Sequence, residues 1–174
     1  EAERSTTHGL TFEDQLGQVL SALAQRVGDV AAATGNTSGA IQYNKKGDFV
    51  ITLGPDSHAP GQRVVWEAKE NQSYNLAAAL GEIAEARTNR EAEVGVFVFS
   101  GKTAPQGLER FARYGNDFVI VWDAEDPSTD LLVQTTFSVI RCLATRKAEV
   151  CQETAKALTE IAEAARSVER QVKY

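Results

Sequence analysis

The sequence predicts an α/β domain in which a mixed central sheet is flanked by helices on both faces. Three observations carry this. The chain opens on a helical repeat, two strand-like runs follow on either side of a turn-rich connection, and from residue 76 helical segments alternate with apolar strand-like ones. Strands joined by short turns pair antiparallel, whereas strands separated by helices return in parallel, so the two halves of the chain combine into one mixed sheet.

The elements follow in order. From Thr11 to Val27, Phe12, Leu16, Val19, Leu20, Leu23 and Val27 recur at steps of three and four on one helical face. Thr11 is the expected N-cap, with Asp14 three residues on. Thr34 to Gly39 is rich in Gly, Asn, Ser and Thr and reads as a loop, and a short strand is expected over Ala40–Asn44. Asp48–Leu53 and Arg63–Lys69 read as strands on either side of the Gly54–Gly61 turn region. Leu76, Leu80, Ile83 and Ala84 form the stripe of a helix running to about Asn89. Val94–Phe99 and Phe118–Trp122 are expected as buried strands, with a short helix over Gln106–Tyr114 between them. Helix resumes at Thr129.

The last segment, Val150–Val172, differs in pattern. Thr154, Leu158, Ile161, Ala165, Val168 and Val172 repeat at alternating steps of four and three, the spacing of a helical seam. That seam either packs on its own domain or mediates association, as a homodimer or with a larger protein. The expected organisation is a flexible segment over 1–10, a domain over 11–147 and a C-terminal helix over 148–174.

Composition narrows the function classes. With 174 residues, 43% hydrophobic and 24% charged, the chain is long enough for one core of ordinary make-up. No apolar run is long enough to span a bilayer, Glu1–Thr7 carries no signal-peptide pattern, and a cytoplasmic location is expected. The lack of Met suits one domain of a longer protein. Cys142 and Cys151 form no C-x-x-C pair and are expected as reduced, partly buried thiols; with two His in all, a zinc site is disfavoured. The glycosylation-type triplets at Asn36 and Asn71 are read as chance. The net charge of −6 argues against a simple nucleic-acid coat, yet a nuclease is compatible with it, because catalytic carboxylates add negative charge and bound cations reverse it locally.

The chemistry-bearing pattern is Lys46-Gly47-Asp48-Phe49-Val50-Ile51, then the turn, then Val64-Val65-Trp66-Glu67-Ala68-Lys69. Side chains alternate along a strand, so Glu67 and Lys69 share a face with Val65, while Trp66 and Ala68 take the other. If the two strands form a hairpin, the Asp48 carboxylate approaches Glu67. Two adjacent carboxylates repel, and a divalent cation relieves the repulsion; Mg²⁺ suits such a site because it takes oxygen ligands and keeps waters. Lys69 would then orient or deprotonate an attacking water, or hold a phosphate oxygen.

A Gly-Asp strand followed by Glu-x-Lys at the end of an apolar strand resembles the PD-(D/E)XK nuclease superfamily. That resemblance covers roughly residues 11–122. It implies the restriction-endonuclease-like three-layer sandwich, with a core order of helix, three strands, helix, strand and here an extra C-terminal helix. It also implies metal-dependent hydrolysis of DNA phosphodiester bonds in restriction, repair or recombination, with Mg²⁺ as cofactor, Mn²⁺ as its substitute and DNA as partner. Carried over, Asp48 and Glu67 match the metal-binding acids, Lys69 the catalytic lysine and the Ala68 carbonyl a further metal ligand. Members often carry an acid on the first helix that faces the site. Helical geometry nominates Glu13, at the edge of the apolar face, over Asp14. One position departs from the motif: Gly47 stands where the family often has Pro, although Gly is common there in the Mrr-like and resolvase-like branches. The alternative reading is a catalytically inactive nuclease-fold module for interaction or DNA binding.

Other features are secondary. Lys45 and Lys46 precede Asp48, Arg87 and Arg90 lie on the following helix, and Lys102 follows the next strand; all are candidate phosphate contacts. Gln72, Ser73 and Tyr74 border the motif. Ser100-Gly101-Lys102-Thr103 lacks the Gly spacing of a phosphate loop. His8 and His58 are isolated and expected to be exposed.

Overall fold

The computed structural model describes residues 10–172, with side-chain surroundings described to Ile161 and at Glu163. The elements are α1 (Phe12–Arg26), β1 (Val30–Ala33), β2 (Phe49–Thr52), β3 (Arg63–Lys69), α2 (Leu76–Arg90), β4 (Val94–Ser100), β5 (Phe111–Tyr114), β6 (Asp117–Trp122) and α3 (Asp130–Val172), with a 3-10 turn over Pro127–Thr129. The six strands form one mixed sheet in the order β1-β2-β3-β4-β6-β5. β1, β2 and β3 are an antiparallel meander, β4 and β6 run parallel to β3, and β5 returns antiparallel on the far edge.

Each face of the sheet has its own core. On one face Leu16, Leu20 and Ala24 of α1 and Val133, Phe137 and Ile140 of α3 pack on Ile51, Val64, Trp66, Val96, Ile120 and Trp122. On the other, Ala79, Ile83 and Ala86 of α2 pack on Val50, Val65, Phe97, Phe99 and Val119. The strand alternation expected for β3 is what assigns Trp66 to the first core and Val65 to the second. β4 and β6 are buried along their whole length, as central parallel strands covered on both faces must be.

Capping fixes where the helices begin. Thr11 and Asp14 form a reciprocal capping box on α1, with Asp14 N–H donating to Thr11 Oγ1 at 3.1 Å and Thr11 N–H to Asp14 Oδ2 at 3.1 Å. Asn75 caps α2 by accepting from Ala78 N–H at 2.9 Å. A part-buried ion pair ties α3 to the turn after α1: Arg141 donates to Asp29 at 2.6 and 3.2 Å, and Asp29 also accepts from Gly54 N–H at 3.0 Å.

Several expected elements differ. Ala40–Asn44 is a turn, and the first strand of the meander is β1, an exposed run of Val and three Ala that lacks any alternating apolar signal. No helix covers Gln106–Tyr114. Gly107 takes a left-handed φ of 76° and the chain then enters edge strand β5, where Phe111 pairs with Ile120. The C-terminal segment is no separate helix, since α3 runs unbroken through 148 for 43 residues, about 65 Å at 1.5 Å per residue. Its contact with the domain ends near Lys147, which pairs with Glu93, and Ala148; from Glu149 to Ile161 every side chain is exposed. The upper seam positions Thr154, Leu158 and Ile161 therefore do not pack on the domain, and the side chains of Ala165, Val168 and Val172 lie outside the described residues, as do residues 1–9, including His8, of the expected flexible segment. Cys142 and Cys151 are free, and both are exposed rather than partly buried. No helix among the described residues is long and apolar enough to cross a membrane.

Candidate active site at the end of strands β2 and β3

The hairpin register brings the acidic residues together. Phe49 pairs with Trp66 in the antiparallel ladder, so Asp48 lies across from Glu67, and Asp48 N–H donates to Trp66 O at 2.9 Å. Backbone donors hold both carboxylates: Ala68 N–H donates to Asp48 Oδ2 at 2.8 Å, and Gly47 N–H to Glu67 Oε2 at 2.7 Å. The two residues thus lock one another's strand ends in a reciprocal exchange.

Gly47 explains its own departure from the motif. Its φ is 95°, which proline cannot reach, and its N–H, which proline lacks, is a ligand of Glu67. An added Cβ would lie 2.7 Å from Arg90 Cγ and from Val65 Cγ2. Glycine is required here by backbone conformation, by space and by the donor it supplies.

Glu67 is 3% exposed. Burial, reinforced by the neighbouring Asp48 charge, pushes its carboxyl up to about 8, against the Gly47 hydrogen bond and the Lys69 charge. Burial likewise raises Asp48. Glu13 rises for the same reason and because of Asp48. Space over Gly35 is shared by these acids, since a Cβ built there would meet Asp48 Oδ1 at 3.0 Å and Glu13 Oε1 at 3.3 Å. Asp14 is spent on the helix cap, so Glu13 is the acid of the first helix that reaches the site.

A fourth acid was missed in the sequence. Glu82 of α2 is buried at 9% exposure and accepts from Lys69 Nζ at 3.1 Å, while Glu67 Oε1 lies 3.6 Å from the same ammonium. Burial opposes ionisation of Glu82, but hydrogen bonds from Tyr74, Lys69 and Glu67 hold its carboxyl below the usual value. Desolvation would lower Lys69, yet the charges of Glu82 and Glu67 outweigh it and raise its pKa. Lys69 also lies 4.9 Å from the Tyr74 ring centroid, and Tyr74 stacks on Phe97 at 6.0 Å. A signal for Glu82 was present. Ala79, Glu82, Ile83, Ala86 and Asn89 recur at three- and four-residue steps, so an acid is embedded in the buried face, whereas the expected stripe followed apolar letters alone and took in Leu76, Leu80 and Ala84, which are half-buried.

The basic candidates divide. Lys45 is exposed beside the site, and Lys46 pairs with Glu85. Arg87 bonds Asp117 at 2.6 Å at the far end of the sheet, level with Gly95. Arg90 is buried, and its guanidinium donates to the carbonyls of Thr34, Thr37, Lys45 and Lys46 at 2.7–3.0 Å, an organising role for the loop before β2. Lys102 pairs with Glu125 at 2.7 Å. Gln72 and Ser73 are exposed, and Ser73 bonds Asn71 Oδ1 at 2.7 Å.

The donor set fits a hard divalent cation in kind: carboxylate oxygens from two adjacent strand ends, with pKa values raised by burial and by the charges of neighbouring acids. Among the described residues no three Asp, Glu, His or Cys side chains converge closely enough to hold an ion together. A carboxylate pair completed by waters is the arrangement Mg²⁺ uses. No family model, curated protein or solved structure matches the chain.

Proposed function

We propose that this chain is a Mg²⁺-dependent nuclease that hydrolyses DNA phosphodiester bonds, built on the restriction-endonuclease-like plan and acting in a cytoplasmic setting in restriction, repair or recombination. The observation that carries the reading is the Asp48–Glu67–Lys69 arrangement, in which two backbone-tethered carboxylates and an ammonium occupy the ends of β2 and β3. The order helix, antiparallel three-strand meander, crossover helix, parallel strand supports it, because this is the order the motif's resemblance implies.

Asp48 and Glu67 would hold the ion, with Glu13 and the Ala68 carbonyl at its margin. Bound there, Mg²⁺ or Mn²⁺ supplies positive charge to the phosphoryl oxygens and acidifies a water. The protein's own residues do the rest. Lys69, kept protonated by Glu82, donates to a non-bridging phosphate oxygen or orients the water as it adds to phosphorus and the P–O ester bond breaks, the water's proton passing to solvent and the departing oxygen taking one from solvent. The acids beside Lys69 raise its pKa in the metal-free site, which favours the donor role. Glu82 and the Tyr74 ring fix where the ammonium points. Lys45 is placed to meet the DNA backbone.

The test is nicking of supercoiled plasmid with Mg²⁺ or Mn²⁺ by wild type and Lys69→Ala. Loss of a charge-stabilising donor is expected to lower the rate about 10²–10³-fold. Equal inactivity of both proteins on several DNA forms, together with no Mg²⁺ binding, would leave the second reading: an inactive module for interaction or DNA binding. The net charge of −6 favours that second reading. In either case the exposed seam of α3 is the proposed site of homodimerisation or of attachment to a larger protein.

A further inference from the structure

The loop between β1 and β2 carries a residue that the cleavage chemistry does not use. Ile41–Asn44 is a tight turn closed by Asn44 N–H donating to Ile41 O at 3.1 Å. Its third residue, Tyr43, has φ 63°, in the left-handed region that such turns usually fill with Gly or Asn. The ring is 85% exposed, so no packing offsets the backbone strain. A bulky residue held in a disfavoured conformation with its side chain left to solvent points to function.

The turn is held firmly. Arg90 donates to four carbonyls of this loop, Asn89 Nδ2 to the carbonyls of Asn44 and Lys46 at 3.1 and 2.9 Å, and Ile41 N–H to Asn89 Oδ1 at 3.1 Å. Tyr43 is thus presented on a fixed support. A shallow, open groove of about 510 Å³, lined by Ile41, Tyr43, Lys45, Lys46 and Glu85, runs from this turn to Glu67, with Lys46 paired to Glu85.

We propose that Tyr43 is a stacking platform for an unpaired DNA base, so that the site acts on single strands, flaps or splayed ends in preference to fully paired duplex. The inference rests on the nuclease reading of Asp48, Glu67 and Lys69. An exposed aromatic face accepts any base that is free to stack, whereas bases inside a duplex must first leave their stack to be reached. Lys45 adds a cation for the backbone beside the ring, and Ile41, 38% exposed, extends the apolar surface. A base on Tyr43 would direct the adjoining backbone along the groove toward Glu67.

The experiment measures binding of two oligonucleotides in Ca²⁺: a duplex with a single-stranded overhang carrying 2-aminopurine, and the matching blunt duplex. Wild type is expected to quench the overhang probe and to bind it more tightly than the blunt duplex. Tyr43→Gly relieves the left-handed strain, so its thermal midpoint should equal or exceed that of wild type. Its affinity for the overhang should fall about tenfold to a hundredfold, with blunt-duplex affinity unchanged and the quench lost; Tyr43→Phe should keep the quench. The proposal is overturned if Tyr43→Gly binds the overhang as well as wild type does, if it weakens both DNAs equally, or if its one effect is on sedimentation of the protein alone, which would mark a protein contact. Cleavage of the same overhang in Mg²⁺ by wild type and Lys69→Ala separates the two readings. A Tyr43-dependent quench without Lys69-dependent cleavage keeps the platform and removes the nuclease, whereas Lys69-dependent cleavage without the quench does the reverse.

Discussion

Replacing Glu67 with Gln should stabilise the metal-free protein at high pH while removing its activity. Gln keeps an acceptor for Gly47 N–H and deletes the buried charge. The folded-state carboxyl is raised from 4.5 to about 8, so between those values the native state binds a proton that the unfolded chain releases. Stability of the wild type must therefore fall as pH rises through this window. At about 1.36 kcal/mol per pH unit, the window sets a ceiling on the order of 5 kcal/mol. Lys69 and Glu82 touch Glu67 and respond as it ionises, so the expected gain of the variant is about 2–4 kcal/mol above pH 8, or roughly 5–15 °C in a chain of this size. The assay is thermal unfolding in chelator at pH 4, pH 5.5 and pH 9. The two proteins should nearly coincide at pH 4, below the window; the variant should lead by about 1 kcal/mol at pH 5.5, one unit into it, and by the full gain at pH 9. Mg²⁺ at a hundred times its Kd should return about 2.7 kcal/mol to the wild type and little to the variant. A variant that tracks the wild type at all three pH values, or is less stable at pH 9, would refute a buried, repelled carboxylate.

Three further outcomes are expected. Gly47→Ala forces a Cβ against Arg90 and Val65 at 2.7 Å in a left-handed backbone, and denaturant titration should show a loss of about 2–4 kcal/mol. Asp29→Asn leaves Arg141, a quarter exposed, facing a neutral acceptor in place of a buried carboxylate; losing the charge-assisted bonds costs about 1.5–3 kcal/mol, read as a lowered urea midpoint with an unchanged slope. Truncation after Glu149 removes only exposed described side chains, so the thermal midpoint of the domain should hold, while analytical ultracentrifugation should show the loss of any self-association that the α3 seam provides.

The sequence made the central strands and the paired acids legible because both follow from local rules. Alternation along β3 separates Trp66 from Glu67 whatever packs above, and helix periodicity places Leu16 and Leu20 inward. The edges were not legible for the same reason. β1 and β5 are half-solvated strands whose residues, Val-Ala-Ala-Ala and Phe-Ala-Arg-Tyr, become strands through pairing with β2 and β6 rather than through their own pattern. Arg90 and Asn89 show the limit at the site. As letters they are a charged helix end, but the fold buries them and spends their donors on loop carbonyls up to 56 residues away in sequence. Glu82 lay between these extremes, since its position on the inward face of α2 was readable once polar residues were allowed into the stripe.

The most direct measurement is the position of a bound metal. Crystals of the protein with Mn²⁺, with and without DNA, give an anomalous signal that locates the ion. The account predicts one peak at the ends of β2 and β3, within about 2.2 Å of a carboxylate oxygen from both Asp48 and Glu67. No peak there at saturating Mn²⁺, with or without DNA, or a peak bound by other residues alone, would contradict a metal-dependent site built on this pair.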